Sequence, residues 1–137
     1  MRTAAIFPLA WMTKPIVSVA AMILVERGKL FLADPVVEYL PKFADMQVAV
    51  EIRDSRTGAA RTVLEPASSA ITVQDLLRHT AGMVNPGLLP ITTVRQRYLD
   101  AGVSDLDQTL AERIDKLAQM PLPHHPAPLE NTAWRST

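Results

Sequence analysis

Lys14 is followed by Pro15 and then by an apolar run from Ile16 to Val25, which makes it the residue of this chain best placed to do chemistry. Proline is tolerated only in the first turn of a helix, so Lys14 stands at a helix start. Unpaired N–H groups there favour negative charge. Residues three apart on a helix share a face, so a hydroxyl one turn before Lys14 would lie within reach of its amine. The amine could then take the hydroxyl proton and leave a nucleophilic oxygen. The residue at that position is Trp11. Indole offers one N–H donor and no nucleophilic atom, so Trp11 and Lys14 together cannot form an acyl-enzyme.

Other residues give weaker signals. Ser18, Ser55, Ser68, Ser69, Ser104 and Ser136 each lack a Lys three residues later, and no Gly-X-Ser-X-Gly elbow occurs. His124 and His125 with Glu130 are metal-ligand types, but no H-E-x-x-H and no third spaced ligand accompanies them. They read as solvent-exposed residues of a Pro-rich loop. His79 reads as a helix C-terminal residue with a local hydrogen bond or a favourable dipole contact. Asp105-Leu106-Asp107 reads as a helix start, and Glu112 with Lys116 as an i,i+4 ion pair. Cysteine is absent, which removes disulfides, thiolate nucleophiles and Cys-based zinc sites. No cofactor and no metal is expected.

These residues must be positioned by a small body. At 137 residues with 48% hydrophobic content the chain has material for one modest domain, 1–137, and not for two. Lys+Arg and Asp+Glu balance at 14 each, so no net field draws nucleic acid or an anionic membrane. Residues 16–25 fall short of the ~20 apolar residues that span a bilayer, and they are expected to form a buried core helix. Arg2 precedes a short apolar stretch, Ala4 to Met12, but Pro8 interrupts it and no small-residue cleavage site follows. A cytoplasmic location is the expectation from these features.

Fold class follows from periodicity and punctuation. The first helix should run from about Trp11–Lys14 to a stop at Gly28, and it is apolar nearly all round. A turn and a short helix are expected over Leu30–Tyr39. Alternation of Val48, Val50 and Ile52 marks a strand over Gln47–Ile52, with Arg61–Leu64 pairing back across a turn at Asp54–Gly58. Thr72 should cap a helix over Val73–His79 in a capping box with Asp75, terminated by Gly82. Asn85–Pro90 is a loop, Val94–Leu99 and Leu106–Met120 are helices, and Pro121–Pro128 breaks regular structure. The second of these helices carries Leu106, Leu110, Ile114 and Leu117 on one face. The class is mainly α with a small β-hairpin.

Five segments in order carry a resemblance: Met12-Thr13-Lys14-Pro15-Ile16-Val17, Val25-Glu26-Arg27-Gly28-Lys29-Leu30, Asp34-Pro35-Val36, Tyr39-Leu40-Pro41-Lys42-Phe43, and Ile71 through Met83. Together they resemble the β-lactamase-related serine hydrolases, which include class C β-lactamases, their esterase relatives and low-molecular-weight D-Ala-D-Ala peptidases. The resemblance covers about residues 12–126. It implies a partial β-lactamase/transpeptidase-like fold, with the nucleophile helix and part of the helical region, and most of the antiparallel sheet absent. It also implies ester or amide hydrolysis by acyl transfer, with small ester or β-lactam substrates.

Residue by residue, the resemblance makes Lys14 a vestigial general base and puts Trp11 in the place of the nucleophilic Ser. The family's third motif, Lys-Thr-Gly or His-X-Gly, does not occur. His124-His125-Pro126 and Trp134 look like the approach to the second motif, yet no Tyr stands between Arg135 and Ser136, and Tyr39 and Tyr98 lie in segments that do not match it. The expectation is a fragment or decayed relative that is not catalytically competent as this chain. The alternatives are a mis-framed piece of an active esterase or β-lactamase, and a small non-enzymatic α-rich interaction module that binds a protein partner through the face left exposed by the absent sheet. Self-association through exposed apolar surface is the partner expectation.

Overall fold

Residues 10–89 and 92–126 are described by a computed structural model. A single 3-10 turn, Ala10–Met12, leads into helix α1, Thr13–Glu26. Pro15 occupies the first turn of α1, as its missing N–H requires. The helix ends in a Schellman motif: the Gly28 N–H donates to Val25 O and the Lys29 N–H to Leu24 O, both at 2.9 Å, with Gly28 at φ +64°.

No residue of α1 is buried, which overturns the expected core helix at 16–25. Ser18, Ala21 and Val25 are half-buried and form one stripe toward the rest of the molecule. Ile16, Val19 and Ile23 are 58%, 60% and 41% exposed. The physical reason is that an apolar composition states what a helix needs and not what surrounds it. Here the described body lies against a single side.

A short 3-10 turn, Val36–Glu38, replaces the short helix expected within Leu30–Tyr39, and a second, Pro41–Phe43, follows Leu40. The turns deliver Val36 and Phe43 to the core. Strands β1 (Gln47–Arg53) and β2 (Ala60–Pro66) pair antiparallel, from Gln47 opposite Pro66 to Arg53 opposite Ala60. Burial fades along β1 from Val48, buried, through Val50, half-buried, to Ile52, exposed, so the alternation expresses itself only at the base of the hairpin. Leu122 joins that base as an isolated parallel bridge. Its N–H donates to Gln47 O at 2.7 Å, and its carbonyl accepts from the Ala49 N–H at 2.8 Å. This pairing lies within the stretch expected to lack regular structure.

Helix α2, Val73–Arg78, carries the expected capping box: the Asp75 N–H donates to Thr72 Oγ1 at 3.1 Å and the Thr72 N–H to Asp75 Oδ2 at 2.9 Å. Burial pushes the Asp75 carboxyl up, but the Thr72 hydroxyl and N–H and the Thr80 hydroxyl hold it below the usual carboxylate range. The helix stops at His79, in the left-handed region at φ 61°, and not at Gly82. Gly82 instead lets the backbone of His124 approach closely.

Helix α3, Thr93–Asp100, is capped by Thr92 and buries Val94 and Tyr98. Helix α4, Leu110–Ala118, begins four residues later than expected. Asp105 accepts the Asp107 N–H in a local turn that competes with helix, and Thr109 caps α4 in a capping box with Glu112. Leu106 and Leu110 therefore stay exposed, and the packed face shrinks to Ile114 and Leu117. The Glu112 carboxylate is taken by Thr109, so the expected ion pair with Lys116 does not form. Lys116 Nζ instead reaches the Gly102 carbonyl at 3.4 Å, and Lys42 pairs separately with Asp115.

Two clusters make the core. Val36, Phe43, Met46, Val48, Ile71, Ala81 and Leu122 form the larger, and Val94, Tyr98 and Val103 the smaller. The described residues thus hold four α-helices and one two-stranded antiparallel sheet, the helix-rich class with a small hairpin that the sequence indicates. Among them no helix is long and apolar enough to cross a membrane.

Candidate functional site

The 3-10 turn at Ala10–Met12 continues directly into α1, so Trp11 and Lys14 lie one turn apart on adjoining helical backbone. Their side chains meet, with Lys14 Nζ 4.3 Å from the centroid of the Trp11 ring. An ammonium over an indole face is attracted by the ring quadrupole. No proton transfer is available in this pair, because the face carries no acidic hydrogen and the indole N–H is not a nucleophile. Trp11 is 64% exposed and so does not serve as a buried anchor.

Lys14 also borders a groove of about 300 Å³ between α1 and α2. Val17 and Ser18 follow Lys14 by three and four residues, which puts them on its side of α1. Leu76, Leu77 and His79 supply the opposite wall. A search for Ser before Lys misses this arrangement, because Ser18 comes after Lys14 and the second wall is 60 residues further along. The available signal was the Lys14, Val17, Ser18 spacing.

The remaining candidates are dispersed. Ser55, Ser68, Ser69 and Ser104 are exposed. His125 is half-buried and tied down: its Nδ1 accepts the Ser68 N–H at 3.2 Å and its Nε2 lies 2.8 Å from Glu65 Oε1. These partners assign the hydrogen to Nε2. The histidine thus clasps the C-terminal segment to the end of β2, which corrects its reading as a solvent-exposed loop residue. His124 is exposed, and Glu130 lies outside the described residues, as do Ser136 and the stretch around Trp134. Among the described residues no group of three His, Asp or Glu side chains could hold a metal ion.

Comparison with known proteins finds relatives that align over most of this chain. An uncharacterized protein of Mycobacterium tuberculosis is 38% identical over 128 residues, which are 92% of this chain and 29% of that protein. The acyltransferase calJ of Penicillium decumbens is 30% identical over 135 residues, 98% of this chain and 29% of its own length. Esterase EstB of Burkholderia gladioli is 32% identical over 130 residues, 92% and 28% respectively. The chain therefore spans less than a third of the length of these relatives. The family model described as Beta-lactamase matches residues 1–136, a span that includes the helix start at Lys14 and extends past 12–126 at both ends; this chain belongs to the beta-lactamase family.

Proposed function

We propose that this chain is a fragment or decayed relative of a β-lactamase-like serine hydrolase, carrying the nucleophile helix of a partial β-lactamase/transpeptidase-like fold without performing acyl transfer. The observation that carries this reading is Lys14 Nζ resting 4.3 Å above the Trp11 ring. The amine that would accept a hydroxyl proton meets a π face instead. In this role Lys14 is a vestigial general base and the chain a pseudoenzyme. The substrate class of the reaction it no longer performs is a small ester or a β-lactam, in keeping with the family.

Assays with a chromogenic cephalosporin and with p-nitrophenyl butyrate should give no turnover above buffer. Trp11→Ser in this chain should give none either, since a restored hydroxyl still lacks the Lys-Thr-Gly or His-X-Gly motif of the resemblance. Ester hydrolysis by either form, abolished by Lys14→Ala, would sink the reading.

The exposure of α1 favours a second role, self-association with another copy of this chain. Ile16, Val19 and Ile23 stand open along one side of a helix roughly 21 Å long, at 1.5 Å per residue. An open apolar patch of this kind marks a partner surface. Light scattering should show a mass that rises with protein concentration and falls back to the monomer in Ile23→Glu. A constant monomer mass in the unmodified chain would remove this role.

A further inference from the structure

The hairpin leaves one long edge of its sheet open. The Leu122 N–H donates to Gln47 O and the Leu122 carbonyl accepts from the Ala49 N–H, so Gln47 and Ala49 turn their backbone groups away from β2. Val48, Val50 and Ile52 therefore turn theirs toward it, onto Glu65, Val63 and Arg61. By the same alternation Ala60, Thr62 and Leu64 aim their N–H and carbonyl groups outward. Among the described residues nothing hydrogen-bonds to that edge of β2. Such an edge is a template for another strand. Its residues also complement themselves. Arg61, Val63 and Glu65 share one face, with the two charges equally spaced about Val63 at the centre of the seven-residue strand. When a second β2 runs antiparallel with the two Val63 residues opposite, the strands overlap fully, and Arg61 of each copy faces Glu65 of the other. Thr62 then meets Leu64, and each such pair exchanges two hydrogen bonds through groups that already point outward. A slip of one residue sets outward groups against inward ones, and a slip of two separates the charges.

We infer that a second copy of this chain adds to the β2 edge in this register, joining two hairpins into one four-stranded antiparallel sheet about a two-fold axis at Val63. Charge selects the occupant, because a strand with Arg61 and Glu65 placed symmetrically matches itself run backwards. Among the described residues Arg61 is in no ion pair, and Glu65 meets His125 through Oε1 alone, which leaves its second oxygen for the other copy. Leu64 is 40% exposed on the opposite face, where the Thr62 side chain of the second copy would cover it. The contact shares no residue with α1 and stands whether or not copies also meet there, and whether or not the chain has any hydrolytic activity. One strand pair buries less than the ~1,200 Å² at the lower end of stable interfaces, so this contact is weak and forms at the high concentrations of NMR, beyond the range of dilute light scattering.

The test is a concentration series of amide chemical shifts on the full isotope-labelled chain carrying Ile23→Glu, which silences any contact through α1. Shifts that grow with concentration are expected at residues 60–66, together with slower hydrogen exchange at Thr62 and Leu64. In a half-labelled mixture the Val63 α-protons of the two copies should contact one another. Thr62→Pro removes an outward N–H and leaves the ladder to β1 intact, so it should abolish the concentration dependence while the signals of Val48 and Tyr98 stay in place. Arg61→Glu turns two attracting pairs into two repelling ones and should weaken the association about tenfold. Concentration-independent shifts at 60–66 would overturn the inference, as would association unchanged in Thr62→Pro or in Arg61→Glu. Shifts centred on Glu51 and Arg53 would overturn it as well, because they report pairing through the outer edge of β1.

Discussion

Gly82→Ala is expected to destabilise the protein by about 2–4 kcal/mol, through backbone strain and an unavoidable clash. Gly82 has φ +78°, and a Cβ built there would lie 2.3 Å from the carbonyl oxygen of His124 and 3.4 Å from Leu122 Cδ1. The first neighbour is backbone, so relief requires the 122–125 segment to move. That segment is held by the bridge of Leu122 to β1 and by the His125 clasp to Ser68 and Glu65. Gly28→Ala is the control. Gly28 has a similar φ of +64° with nothing within 4 Å of its Cβ position, so only the ~1–2 kcal/mol of left-handed strain applies. Denaturant midpoints of the two variants should separate clearly. Equal midpoints would show that the C-terminal segment does not press on Gly82.

Stability should also fall steeply above the ordinary phenol pKa of 10.0, because burial pushes the Tyr98 hydroxyl up to about 12. The side chain is 1% exposed and its hydroxyl donates to Pro121 O at 3.0 Å. In the unfolded chain Tyr98 ionises near 10, whereas in the folded chain it stays protonated until about 12. The unfolded state therefore binds fewer protons across that window, and stability declines as pH rises through it. A raised folded pKa gives a contribution fully present below 10 and lost by about 12, worth about 2–3 kcal/mol for a shift near two units. Tyr39 is also raised to about 12, first by its hydrogen bond to Asp34, but it is exposed, and solvent screening discounts its share of the effect. Urea midpoints followed from neutral to alkaline pH should drop above 10 in the unmodified chain and drop much less in Tyr98→Phe. Parallel curves would refute the assignment to Tyr98.

What was legible in the sequence lies within a few residues of its own signal. Pro15 and Gly28 bracket α1, Thr72 with Asp75 begins α2, the alternation at 47–52 finds its partner strand, and the Trp11 to Lys14 spacing marks one helical turn. Each rests on local backbone geometry and capping, which neighbouring residues encode. Where two local signals competed, the reading failed: the Asp105 turn and the Thr109 cap displaced the start of α4, and His79 took the left-handed position assigned to Gly82.

Family membership was legible in the five segments between Met12 and Met83, and the family model that matches residues 1–136 bears it out. By itself the sequence determined the local elements, the absence of a hydroxyl at position 11, and an α1 that is apolar on nearly every side. Only the tertiary structure decided which sides of α1 stay open, that the Lys14 ammonium rests on the Trp11 face, and that Leu76, Leu77 and His79 close a groove beside it. The reason is physical: periodicity and caps act through bonds and turns a few residues long, whereas burial depends on chain that is distant in sequence and near only in space.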